Sequence, residues 1–178
     1  MPPSTLVAQL AAMRPLIAAG DRDALEDRYR RACADADPRL SRQIADLELA
    51  SWGADLGWAS VLARPSSPDI AAVYWEFDPD NGWQNAFFGC GRYRPEADGD
   101  DDWAADVLET TPGPGNSQLA VLYDPSFDGT EFAIAGNLFL FARTFAEFVR
   151  ATRSAWPERL PLCAGFHDQD SVFRVVNL

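Results

Sequence analysis

Hydrophobic positions in the first third of the chain recur every three or four residues. Leu6, Leu10, Met13 and Ile17 share one helical face, which predicts a helix from a Ser4 or Thr5 cap to about residue 19, kinked by Pro15 and ended by Gly20. Asp21 suits the N-cap of a second helix to about residue 35, with Leu25, Tyr29 and Ala32 on its apolar face and Arg28, Arg30 and Arg31 toward solvent. Asp37-Pro38 opens a third, carrying Leu40, Ile44, Leu47, the Trp52 region and Leu56, until Arg64-Pro65-Ser66-Ser67-Pro68 stops it.

The period then drops to two. Val73, Trp75 and Phe77 alternate with Tyr74, Glu76 and Asp78, a strand that turns at Pro79-Asp80-Asn81-Gly82 and resumes over residues 83 to 93. Residues 119 to 123, 131 to 135 and 138 to 141 read as further short strands, with turns at Asp124-Pro125 and Asp128-Gly129. Loops over 94 to 102 and 110 to 118 separate them. From Thr144 the helical period returns through Phe145, Phe148, Val149, Thr152 and Trp156, ends at Pro157, and a strand over 171 to 176 closes the chain. The predicted fold is α+β, with N-terminal helices packed on an antiparallel β-meander, then a C-terminal helix and final strand. We expect a single domain over 1 to 178: a helical part (1 to 64), an acidic sheet part (65 to 142), and a helix with closing strand (143 to 178).

Composition narrows the function. The longest apolar run, residues 132 to 142, is interrupted by Gly136 and Asn137 and falls short of the roughly 20 residues that cross a bilayer. The N-terminus lacks the basic start and cleavage site of a secretory signal. Cys33, Cys90 and Cys163 are odd in number and far apart, which suits reduced thiols and a cytoplasmic location. All 15 basic residues are arginine, so Schiff-base, P-loop and general-base lysines are excluded.

The net charge of −12 is regional. Residues 65 to 142 hold 14 acids against Arg92 and Arg94, while the two flanking parts are nearly neutral. Such a field disfavours nucleic acid and anionic membranes and speeds encounter with basic partners. It peaks in Glu96, Asp98, Asp100, Asp101, Asp102, Asp106 and Glu109, with Trp103 in their midst. These eight residues are the candidate partner-binding set, Trp103 as an apolar anchor. A solvated loop entering an acidic helical turn is the competing reading.

Other chemistry finds less support. Neither Asp78-Pro79-Asp80-Asn81-Gly82 nor Asp98-Gly99-Asp100 has calcium-loop spacing, and the scattered cysteines and single histidine lack zinc spacing, so no metal and no cofactor are expected. His167 is the one histidine, and any Cys/His or Ser/His/Asp centre must recruit it; a hydrogen bond to Asp168 or Asp170 is the plainer expectation. Paired carboxylates for glycoside hydrolysis are not singled out within one acidic run. Gly89-Cys90-Gly91 lies inside the hairpin and Gly113/Gly115 in a Pro-rich loop, so no dinucleotide fingerprint opens a helix. Trp75, Phe77, Trp83, Phe87 and Phe88 suit a sheet core better than a ligand groove.

The segment Leu140-Phe141-Ala142-Arg143-Thr144-Phe145-Ala146-Glu147-Phe148-Val149 resembles the strand-into-helix segment of SMI1/KNR4-like (SUKH superfamily) proteins. That superfamily includes bacterial immunity proteins, and the resemblance implies an α+β fold and binding of a protein toxin. With the regional charge it yields the expected function: a non-enzymatic immunity protein that neutralises a basic toxin through its acidic surface. The alternative is a small-molecule-binding domain or small enzyme with a pocket near His167.

Overall fold

The computed structural model describes residues 6–65, 67–98, 101–125, 131–156, 160–167 and 172–176. The expected Ser4 or Thr5 cap, the Asp128-Gly129 turn and the Pro157 stop lie outside them. Four helices come first: α1 (Leu6–Ala19), α2 (Arg22–Ala36), α3 (Pro38–Ala45) and α4 (Ala50–Leu62). Asp21 caps α2 by accepting from the Ala24 N–H, and Asp37 caps α3 by accepting from Arg39 and Leu40 with Pro38 in the first turn. The predicted third helix therefore divides into α3 and α4. Residues 46–49 between them leave two backbone carbonyls, of Ala45 and Leu47, to accept from Arg143 at 2.8 and 2.9 Å.

Strands β1 (Ala72–Asp78) and β2 (Gln84–Cys90) form the predicted hairpin, with Trp75 opposite Phe87. The Asp78 carboxylate accepts from the Asp80 and Asn81 N–H groups, and Gly82 takes φ +65°. Trp83 also takes a positive φ, +59°, a conformation costing a side-chain-bearing residue about 1–2 kcal/mol. Its packing holds it there: the indole is fully buried, stacks on Phe77 and donates to Thr144 Oγ1 at 3.0 Å.

β3 (Val107–Pro112) continues the meander beside β2, then α5 (Ser117–Leu122) and α6 (Glu131–Thr152) carry the chain to β4 (Leu162–Phe166) and β5 (Phe173–Val176). The sheet order is β3-β2-β1-β4-β5. β4 lies parallel to β1, so the sheet is mixed; β1-β2-β3 and β4-β5 are antiparallel. The fold is α+β, and two of its strands come from the last part of the chain rather than from residues 65 to 142.

The three strands expected at 119 to 123, 131 to 135 and 138 to 141 are helical, in α5 and α6, except Tyr123, which is the extended C-cap of α5. The run Leu138, Phe139, Leu140, Phe141 and Ala142 is buried at every position, because α6 packs on α1, α2, α3 and α4 as well as the sheet. A helix buried on all sides loses its amphipathic period and mimics a buried strand. In α5, Asn116 caps the helix by accepting from Gln118 and Leu119. Residues 110 to 112, expected in a loop, are the end of β3.

Alternation along the strands gives the sheet two apolar faces. Val73, Trp75, Phe77, Phe87, Leu162, Ala164, Phe173 and Val175 join the helices in the main core, where Trp75 stacks on Phe148 with ring centroids 4.1 Å apart. Ala72, Tyr74, Cys90 and Cys163 point the other way and meet Trp103 and Val172.

Candidate functional site

The acidic segment is what covers that second face. After β2 the chain makes two 3-10 turns, Glu96–Asp98 and Asp102–Ala105, before entering β3. The apolar material within the run decides its path. Trp103 is only 1% exposed and lies against Tyr93 in an edge-on contact, within the cluster of Tyr74, Cys90, Cys163 and Val172. The expected partner anchor is thus a core residue of the free chain. The acidic helical turns of the competing reading are present in 3-10 form, with Glu96 and Asp98 in the first and Asp102 opening the second, which leads into β3.

Charge fastens the same cover. Arg174, on β5, is buried on this face; its Nη2 donates to Asp101 Oδ1 at 2.8 Å and to the Arg94 carbonyl at 3.0 Å, and its Nη1 donates to the Val172 carbonyl. Its guanidinium also sits 5.7 Å from the Trp103 ring centroid. Arg14, from α1, donates to Glu96 at 2.9 Å and lies 4.0 Å from Asp101. Arg92 pairs with Asp106 at 3.0 Å. Among the described residues, Glu96, Asp101 and Asp106 are therefore engaged by arginines of the same chain. The sequence carries a signal for the central pair: Arg174 interrupts an apolar closing strand, and a charge at such a position demands a counter-charge on the sheet face it enters.

Asp98 and Asp102 are exposed, Glu109 is half-buried opposite Gly89, and Asp100 lies outside the described residues. β3 is an edge strand, with a register shift opposite Gly89/Cys90, and it exposes Val107 and Leu108 by 43% and 52%. Gly113 donates to the Asn85 carbonyl at 2.8 Å. In the antiparallel ladder that pairing turns Thr111 and Glu109 toward β2, and the backbone N–H and C=O of Thr110 away from it. Among the described residues, the outer rim of the sheet thus combines an unpaired backbone edge, two apolar side chains and carboxylates on either side.

The other candidates sit elsewhere. His167 is exposed on leaving β4, its Nδ1 3.1 Å from Glu76 Oε1, while Asp168 and Asp170 lie outside the described residues. Cys163 is fully buried, and burial pushes its thiol up to about 12, against the opposing pull of Arg174, so it is not poised as a thiolate nucleophile. Trp75, Phe77, Trp83 and Phe87 are core. Among the described residues no group of three or more His, Cys, Asp or Glu side chains is placed to hold a metal ion, and no helix is long and apolar enough to cross a membrane.

Comparison with known proteins returns no match among family models, curated proteins or solved structures. The segment 140–149 that resembles SUKH proteins lies wholly within α6, so the strand half of that pattern has no counterpart here.

Proposed function

We propose that the chain is a non-enzymatic binding protein of the immunity type, which neutralises a basic protein toxin through the acidic rim formed by β3 and the turns before it. The observation that carries this reading is the edge of β3, where exposed Val107 and Leu108 stand between Asp106 and Glu109; Asp98 and Asp102, exposed to either side of the Asp101 that pairs with Arg174 of β5, add to the negative field from across the sheet. An exposed edge strand is a template for another chain, and carboxylates along it oppose pairing with a second copy while favouring a basic strand. Long-range attraction from the regional charge would set the rate of encounter, and the apolar pair would set the lifetime of the complex.

Charge reversal of Asp98 and Asp102 to lysine should slow association about tenfold or more at low salt and flatten its dependence on ionic strength, with little change in dissociation. Leu108→Asp should instead shorten the lifetime of the complex. The partner to assay is the product of the neighbouring reading frame, whichever protein that encodes, by co-purification and by protection of cells expressing it. Absence of both binding and protection contradicts the proposal.

A further inference from the structure

At the corner where α1 passes into α2, the end of α6 closes a groove of about 600 Å³ lined by Gly20, Arg22, Val149, Arg150, Arg153, Ser154 and Trp156. Three of these seven residues are arginines and none is acidic, in a chain whose net charge is −12. The charges are not equivalent. Arg150 is held by Glu147 of its own helix and is close to neutral as a pair. Arg22 and Arg153 make no ion pair among the described residues, and both are half-buried. Arg153 Nη1 is shielded from solvent and has no hydrogen-bond acceptor. A guanidinium in that condition is under-compensated, and an oxyanion is the partner whose geometry it matches best.

The local backbone makes room for this arrangement. Gly20 ends α1 at φ +73°, and a Cβ there would fall 2.1 Å from Arg153 Nη1, so glycine is what lets the guanidinium lie over the helix end. The Trp156 indole N–H is already committed to the Leu160 carbonyl at 2.8 Å, which leaves the ring as an apolar wall and the exposed Ser154 hydroxyl as a donor at the rim. A second groove of about 560 Å³, between α2 and α6, shows the contrast. Its Arg30 and Arg143 face Asp23, Glu26 and Asp27, so its charges are answered from within.

We infer that the groove at Arg22 and Arg153 is a binding site for a small ligand carrying a phosphate or carboxylate group, separate from the acidic rim. Titration calorimetry and thermal melting of the full chain test this with inorganic phosphate and, separately, succinate, at ionic strength held constant with sodium chloride. The expected result is saturable heat and a saturable rise in melting temperature with at least one of the two. Binding of phosphate alone assigns the site to phosphate-bearing ligands, and binding of succinate alone to carboxylates. Arg22→Gln, at a half-buried position, should raise Kd at least tenfold; Gly20→Ala should weaken binding by displacing Arg153; and Arg39→Gln, on exposed α3 surface, should leave Kd unchanged. No saturable binding by either probe, or equal binding by wild type and Arg22→Gln, overturns the inference.

Discussion

The sheet face under the helices is closed by aromatic packing, with Trp75, Phe77 and Phe87 against Phe141, Phe145 and Phe148. The opposite face is closed by a segment with two short 3-10 turns, one buried Trp and the Arg174–Asp101 pair. The first face needs no specific pairing of charges, whereas the second is a thin cover whose attachment depends on individual polar contacts. That difference separates two kinds of acid within one run: Glu96, Asp101 and Asp106 hold the cover down, and Asp98 faces solvent on it. A cluster of carboxylates in a sequence is therefore not one surface.

The largest break in the comparison comes from the side chain that gives the thin cover its core. Trp103→Ala should cost about 3–5 kcal/mol in urea denaturation, as for large-to-small changes at other buried aromatics, because only the cluster around Tyr74 and Cys163 borders the cavity. Next, Arg174→Met, which replaces the buried cation with an apolar side chain of similar length, should cost less than removing Asp101. It leaves a carboxylate that still has solvent and Arg14 nearby rather than a buried uncompensated cation.

Thiol chemistry offers a finer probe of both faces. Cys33, Cys90 and Cys163 are buried, and burial pushes their thiols up to about 11, 11 and 12 respectively. An aromatic disulfide reagent at pH 8 should titrate three thiols in denaturant and none rapidly in the native protein. If the second face opens more readily, Cys90 and Cys163 should react before Cys33 as urea is raised below the midpoint. Equal rates for all three would contradict a thin cover.

The smallest expected effect is on the helical side. Burial raises the Glu26 carboxyl above its ordinary value of 4.5, with Arg143 opposing the rise. The folded state then binds more protons than the unfolded state between 4.5 and the raised folded value, so Glu26 makes stability fall as pH climbs through that window. Glu26→Gln should remove the slope, gaining on wild type as pH rises from 4.5 and reaching a constant difference above the window.

The helical N-terminus and the hairpin were legible because each has one wet and one dry side or an unmistakable turn, whereas the closing strand, buried on both faces, was legible from its short apolar run. Asp21 and Asp37 both act as caps, and Pro79-Asp80-Asn81-Gly82 turns the hairpin. α6 was not legible over its first half, since burial on all sides erases the period that distinguishes a helix from a strand. The parallel placement of β4 beside β1 was hidden for the same reason, as it follows from α6 being a crossover helix rather than a pair of strands. In the acidic run, composition showed where charge concentrates. Which acids turn inward depends on Arg14 and Arg174, separated from their partners by 82 and 73 residues, a pairing that local spacing does not encode.

Equilibrium urea denaturation of Asp101→Asn beside Asp98→Asn tests the division of the acidic run most directly. Both substitutions remove one negative charge from the same segment. Asp101→Asn should lose about 2–3 kcal/mol by leaving the Arg174 cation uncompensated, and Asp98→Asn should stay within about 0.5 kcal/mol of wild type. Equal, small effects of the two would contradict the division and return the whole run to a solvated surface.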